Sequence, residues 1–190
     1  MEFLEVIKKR RSTRQFSIEP VPKNLIEEII ESARLAPSAK NRQNWLFVVL
    51  KQETKEKITN IMLKQFQKEL KFNREDDATI PYRAANSVIN SIRVIKEAPI
   101  LILVFRKKDN EWMEGDYLSI GAAIENLCLR ATDLGLATLW IRDVIYTKQE
   151  IQRLIVENNK ELISAVAVGY STEYPYDKKK KTLKDIMIWK

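Results

Sequence analysis

The sequence predicts one α+β or α/β domain, a three-layer sandwich with helices on both faces of a central sheet. Three observations lead there. Four short apolar runs, WLFVVLK, ILILVF, ATLWI and ISAVAVGY, are rich in branched and aromatic residues and read as buried strands, with helical periodicity between them. At 190 residues the chain is long enough to bury roughly 70% of its unfolded surface, so a sizeable core is expected. No internal repeat or linker divides it, and residues 1–190 are expected to form a single unit. Several connections are long and irregular, which points to a central sheet of mixed strand direction.

The elements follow in order. Phe3, Leu4, Val6 and Ile7 fall on one side of an opening helix that runs directly into RRSTRQF, Arg10 to Phe16. After Pro20 and Pro22, apolar residues Leu25, Ile26, Ile29, Ile30 and Ala33 repeat at helical spacing until Pro37 ends the helix, leaving APSAKNRQN as a loop. Trp45 to Lys51 reads as a strand buried on both faces. Thr54 is placed to cap the next helix, whose apolar positions are Ile58, Ile61, Met62, Phe66 and Leu70. Asn73 to Asn86 has many charges and no period, as a mobile connection or lid would, and a short helix around Val88 to Ile95 follows.

Pro99 precedes the second strand, Ile100 to Phe105. A long helix is expected from Tyr117 to Leu134, stopped by Gly135. Ala137 to Ile141 gives the third strand, and Thr147 with Glu150 has the spacing of a capping box for a helix through Leu154. Ile163 to Tyr170 is the fourth strand. The tail from Ser171 ends in the apolar LKDIMIW.

Composition removes several chemistries. There is no histidine and only one cysteine, Cys128, so disulfide frameworks, Cys-rich zinc sites and any imidazole base are excluded. Cys128 lies within AAIENLCLRA and reads as a small buried hydrophobe. The four glycines form neither GxGxxG nor GxxxxGK[ST], so a phosphate would have to be held by side chains and helix ends. The net charge of +7 favours anionic ligands. Its one block, Lys178 to Lys181, reads as a solvated tail. No apolar run approaches the roughly 20 residues of a membrane span, and MEFLEVIKKR lacks the order of a secretory signal, so a soluble cytoplasmic protein without a membrane partner is expected.

RRSTRQF places three guanidinium groups and two hydroxyls within seven residues, a set suited to gripping phosphate through planar, permanently charged forks. Alone it also matches the basic groups that complement a helix end. Ala36 to Trp45, APSAKNRQNW, adds neutral amide and hydroxyl groups beside a stiffening proline, and reads either as a polar turn or as a binding loop for a flat polar ring.

Together these stretches resemble the nitroreductase family of flavin mononucleotide (FMN) enzymes. RRSTRQF matches RRSxRxF, APSAKNRQNW matches APSxxNxQPW, and GAAIENLCLRATDLGLATLWI matches the family's long helix, glycine stop and following strand. The resemblance implies an α+β fold and a homodimer with FMN at each of two sites built from both subunits. Arg10, Arg11 and Ser12 would hold the phosphate and ribityl chain, with Arg14 nearer the pyrimidine edge of the ring. Pro37, Ser38, Ala39 and Asn41 would reach in from the other subunit, and Gln43 would face the ring. Trp140, Ile141, Arg142 and Asp143 match the segment whose backbone approaches the hydride-accepting nitrogen, and Lys180 and Lys181 match a basic pair that closes over the phosphate.

No side-chain catalyst is required, because the flavin carries the chemistry. The implied activity is FMN-dependent, ping-pong transfer of reducing equivalents from NADH or NADPH to an electron-poor small molecule such as a nitroaromatic or quinone. Dehalogenation and non-catalytic flavin binding or redox sensing share the same cradle. Outside the class, the basic residues would form a nucleic-acid track. Substrate stacking could involve Phe66, Phe72, Tyr82 or Trp112. Asn44 replaces a family proline, which implies a less rigid loop, and Arg142 with Asp143 replaces a smaller turn, implying bulk and charge at the flavin face.

Overall fold

The computed structural model describes residues 1–71, 84–109, 111–156, 159–173 and 178–190. Its helices are α1 (Phe3–Lys9), α2 (Lys23–Arg34), α3 (Gln52–Lys71), α4 (Ala85–Glu97), α5 (Met113–Asp133) and α6 (Lys148–Ile155). The strands are β1 (Trp45–Leu50), β2 (Ile100–Lys107), β3 (Ala137–Ile141) and β4 (Lys160–Gly169), in the sheet order β1-β2-β4-β3. Short 3-10 turns occupy Ala39–Asn41, Asp143–Thr147 and Leu183–Asp185. The expected connection from Asn73 lies mostly outside the described residues, as do Phe72 and Tyr82.

The side chains of a strand alternate between its faces, so the central strands need apolar residues throughout. On β2 and β4, Leu101, Leu103, Phe105, Ala165 and Ala167 pack with Ile58 and Met62 of α3, Val94 and Ile95 of α4 and Ile151 of α6. Their neighbours Ile102, Val104, Val166 and Val168 meet Ile26, Ile29 and Ala33 of α2 and Ile120, Ile124 and Leu127 of α5. Three layers result, as the α+β reading requires.

Strand direction differs from the expectation. All four strands pair antiparallel, and the only parallel pairing among the described residues is the single bridge from Ser12 to Thr138. The reason is topological: β2 and β3 are joined through α5 and run the same way, but β4 inserts between them and reverses the pairing on both sides. Strand β1 is an edge strand, so its residues are mostly half-buried instead of covered on both faces, and Val49 is exposed.

Of the expected helix ends, the glycine stop is present and the two caps at Thr54 and Thr147 are not. Gly135 stops α5 with φ +78°; its N–H donates to the Thr132 carbonyl at 3.1 Å and the Leu136 N–H to that of Ala131 at 2.8 Å, the paired bonds of a Schellman ending. Thr54 lies inside the first turn of α3, which begins two residues earlier. Thr147 forms no capping box: its hydroxyl donates to the Val144 carbonyl at 3.3 Å, because the 3-10 turn runs straight into α6.

Candidate functional site

The arginine turn is built by fastening residues 12–17 onto the sheet. The Thr13 N–H donates to the Thr138 carbonyl at 3.0 Å and the Ser17 N–H to that of Tyr170 at 2.8 Å, while Thr13 and Phe16 are buried. Ser12 and Arg14 are thereby left on the exposed side. The Arg10 Nε lies 3.2 Å from a Glu125 carboxylate oxygen on α5. The Arg11 guanidinium donates to the carbonyls of Arg10, at 2.9 Å, and Lys8, so it also serves the C-terminal end of α1.

Arg14 donates to the Ser12 carbonyl at 3.3 Å and opens onto a cleft of about 380 Å³. Ser87, Asn90 and Ser91 of α4 and Leu139 to Asp143 line the rest. A larger hollow of about 530 Å³, lined by Ile61, Lys64, Gln65, Gln67, Lys68 and Glu150, shares no residue with this cleft.

The turn after β3 is committed to specific bonds. The Trp140 indole N–H donates to Ser164 Oγ at 2.7 Å, leaving the ring 44% exposed. Arg142 donates to the carbonyl of Ile163 at 2.9 Å, the residue skipped by the β2–β4 register at its bulge. Asp143 accepts from the hydroxyls of Ser87 at 2.7 Å and Ser91 at 2.6 Å. The bulk and charge at these two positions thus tie the sheet to α4.

The Ser38–Gln43 loop is strained and tightly held. Lys40, Asn41 and Gln43 have φ of +50°, +54° and +48°, left-handed conformations that cost about 1–2 kcal/mol each without glycine. Ser38 Oγ accepts from the Gln43 N–H at 3.0 Å, and the Ala39 N–H donates to Ser119 Oγ at 3.0 Å. A Cβ at Gly115 would sit 3.0 Å from the Ala39 Cβ, so this glycine permits the loop's close approach to α5.

Asn44 makes the loop more fixed, contrary to the expectation for a missing proline. Its Nδ2 donates to Asp116 at 2.6 Å and to the Lys107 carbonyl at 3.3 Å, and its Oδ1 accepts from the Lys107 N–H at 3.1 Å. Arg42 pairs with Asp109 at 2.6 Å and Asp116 at 3.3 Å. Its hydrogen bond holds the Asp109 carboxyl below the usual carboxylate range.

Within the chain the candidate residues form two groups. Arg10, Arg14 and the Trp140–Asp143 turn lie around β3 and the adjoining part of α5. The Ser38–Gln43 loop abuts Gly115 and Ser119, six to ten residues before Glu125, or about 9–15 Å along the helix at a 1.5 Å rise. Lys180 and Lys181 lie on an exposed tail, and no hydrogen bond or ion pair among the described residues ties them to the arginines. Of the aromatic candidates, Phe66 is buried against Val88, and Trp112 lies under the Lys40 ammonium, 3.9 Å from the ring centre. Asp116, Arg42 and Ser119, and the bonding role of Asn44, escaped sequence reasoning, since their partners lie far along the chain; an acid within an otherwise apolar helix face was the available signal.

The family model described as the Nitroreductase family matches residues 7–170. The chain belongs to the nitroreductase family. It is 28% identical over 185 residues, 95% of this chain and 90% of the other, to YfhC of Bacillus subtilis strain 168, provisionally named an NAD(P)H nitroreductase. It is also 28% identical over 206 residues to iodotyrosine deiodinase 1 of Rattus norvegicus, covering 98% of this chain and 69% of that one. The crystal structure of a BluB-like flavoprotein from Clostridium difficile 630 aligns with a TM-score of 0.85 at 27% identity, over 100% and 99% of the two chains.

Proposed function

We propose that this nitroreductase-family chain is a homodimeric flavin oxidoreductase, holding FMN in two sites made from both subunits and passing reducing equivalents from NADH or NADPH to an electron-poor acceptor such as a nitroaromatic or quinone. The observation that carries this reading is the cleft of about 380 Å³ shared by Arg14 and the Trp140–Asp143 turn, directly after the Arg10–Ser12 run. The donor set fits the group. Three guanidiniums and a hydroxyl match a dianionic phosphate, and Arg10 needs only to exchange its half-exposed partner Glu125 for it.

Arg10, Arg11 and Ser12 are the proposed phosphate and ribityl contacts, and Arg14 supplies positive charge in the cleft. Pro37, Ser38, Ala39, Asn41 and Gln43 are proposed to come from the second subunit, which accords with their separation from the arginines within one protomer. Trp140, Ile141, Arg142 and Asp143 form the wall, and Lys180 and Lys181 close over the phosphate. When bound, FMN would supply two-electron transfer from the nicotinamide and, after its departure, to the acceptor. The chain's own residues bind and orient, narrow the access of water, and place positive charge where negative charge develops; no acid, base or nucleophile is required of them.

A dimer is supported by exposed apolar surface. Phe3, Leu4 and Ile7 on α1, Leu118 on α5, and Ile186, Ile188 and Trp189 in the tail are all at least 43% exposed in the single chain, apolar side chains that a subunit interface would cover. The similarity to iodotyrosine deiodinase over 98% of the chain favours a second reading, in which a halogenated phenol is the acceptor.

The test is direct. Purified protein should be yellow, release FMN on denaturation, lose its flavin absorption band on anaerobic addition of NADH or NADPH, and recover it on adding an acceptor. Turnover against nitroaromatics, quinones and halogenated phenols separates the two readings. Colourless protein that takes up no FMN would overturn both, and a bound flavin that neither nicotinamide bleaches would make the chain a binding or sensing protein.

A further inference from the structure

We propose that Asp116 is a positioning residue that locks the Ser38–Gln43 loop in its left-handed conformation through Asn44 and Arg42, and so presents Asn41 and Gln43 to the cofactor; the cofactor clause rests on the function proposed above. The carboxylate is 1% exposed and stands in the first turn of α5, where Met113 and Glu114 are exposed. Its Oδ2 accepts from Asn44 Nδ2 at 2.6 Å, and its Oδ1 lies 3.3 Å from Arg42 Nε. Arg106, itself buried, approaches Oδ2 at 3.7 Å and is held on its other side by Glu161 at 2.7 Å.

A buried carboxylate with this many donors is retained only where its charge is neutralised in place, and here two of those donors belong to the loop. Of residues 40, 41 and 43 only Asn41 is of a type that adopts φ near +50° readily, so Lys40 and Gln43 would otherwise relax toward ordinary backbone angles. Asn44 closes the loop from the far side by clamping both backbone groups of Lys107 at the end of β2. Arg42 adds Asp109 at 2.6 Å, so the loop is pinned to α5, to β2 and to the connection between them. The Asn41 and Gln43 amides, bonded to each other at 3.1 Å, stand on the exposed side of this frame.

Two variants and two readouts test this, one of them independent of any flavin. Trypsin cuts after lysine and arginine, so cleavage after Lys40 and Arg42 in flavin-free full-length protein reports loop opening. Asp116→Ala should raise that cleavage rate at least tenfold; Asn44→Ala, which leaves the Asp116 ion pairs in place, should raise it several-fold while its thermal unfolding stays cooperative. FMN titration by fluorescence quenching should show weaker binding by at least fivefold in Asn44→Ala, a shifted absorption band for the flavin that does bind, and partial recovery of both in Asn44→Gln. Unchanged cleavage in Asn44→Ala would overturn the locking role. Faster cleavage with unchanged FMN affinity and spectrum would overturn the positioning role. If wild-type protein binds no FMN while the cleavage rates change as stated, the flavin reading fails and the loop lock stands.

Discussion

Arg10, Arg11 and Arg14 sit within five residues of one another yet have separate roles in the free chain: an ion pair with Glu125, bonds to the end of α1, and the floor of a cleft. The RRSTRQF cluster stands out in the sequence because residue type and spacing are local features. The roles of Asn44, Arg142 and Asp143 do not, because each is defined by a partner brought close only by folding: Asp116, the Ile163 carbonyl, and Ser87 with Ser91. Cys128 offers a check at this scale. It is buried, and desolvation pushes its thiol from 9.0 up to about 11. Native protein should therefore resist thiol reagents at pH 8 and react once per chain in denaturant; rapid native labelling would contradict the burial. Between about pH 9 and 11 the unfolded thiol ionises while the folded one stays neutral, so the unfolded state binds fewer protons and stability falls as pH rises, by about 2–3 kcal/mol over that window. Urea unfolding across this range should show that extra slope in wild type and lose it in Cys128→Ala.

Elements were read from periodicity and proved the most legible level. All four strands and the helices of both layers were anticipated, since apolar spacing reports which face is buried. Strand direction and helix caps were not: pairing depends on where β4 inserts, and Thr147 has the right spacing but bonds to Val144 instead. Two glycines separate backbone strain from packing. Gly135 has φ +78° and nothing within 4 Å of an added Cβ, so Gly135→Ala should cost about 1 kcal/mol from the backbone alone. A Cβ at Gly169 would lie 2.6 Å from Pro99 Cδ and 2.9 Å from Phe16 Cδ1, so Gly169→Ala should cost more, about 1–3 kcal/mol, and loosen the anchor of the arginine turn. Thermal unfolding of the two variants should rank them in that order; the reverse ranking would contradict the packing of β4 against Phe16.

At the scale of the whole molecule, the candidate site is divided between two regions that a single protomer does not join, and an apolar surface on α1, α5 and the tail lies exposed. The proposed homodimer would account for both features. Light scattering should give about 45 kDa, twice the 22.3 kDa chain, and Leu118→Glu, placing a charge on the exposed face of α5, should shift the mass toward the monomer and lower FMN occupancy with it. A monomer that retains full flavin occupancy would contradict sites made from both subunits. The central claim is more specific: the arginines after α1 recognise the phosphate of the cofactor. It is tested most directly by comparing the affinities for FMN and for riboflavin, which lacks the phosphate, in wild type and in the Arg10→Ala, Arg14→Ala double variant. Wild type should bind FMN at least 100-fold more tightly, a difference of about 2.7 kcal/mol, and the double variant should lose most of that preference. Equal affinity for the two ligands in wild type, or an undiminished preference in the double variant, would contradict it.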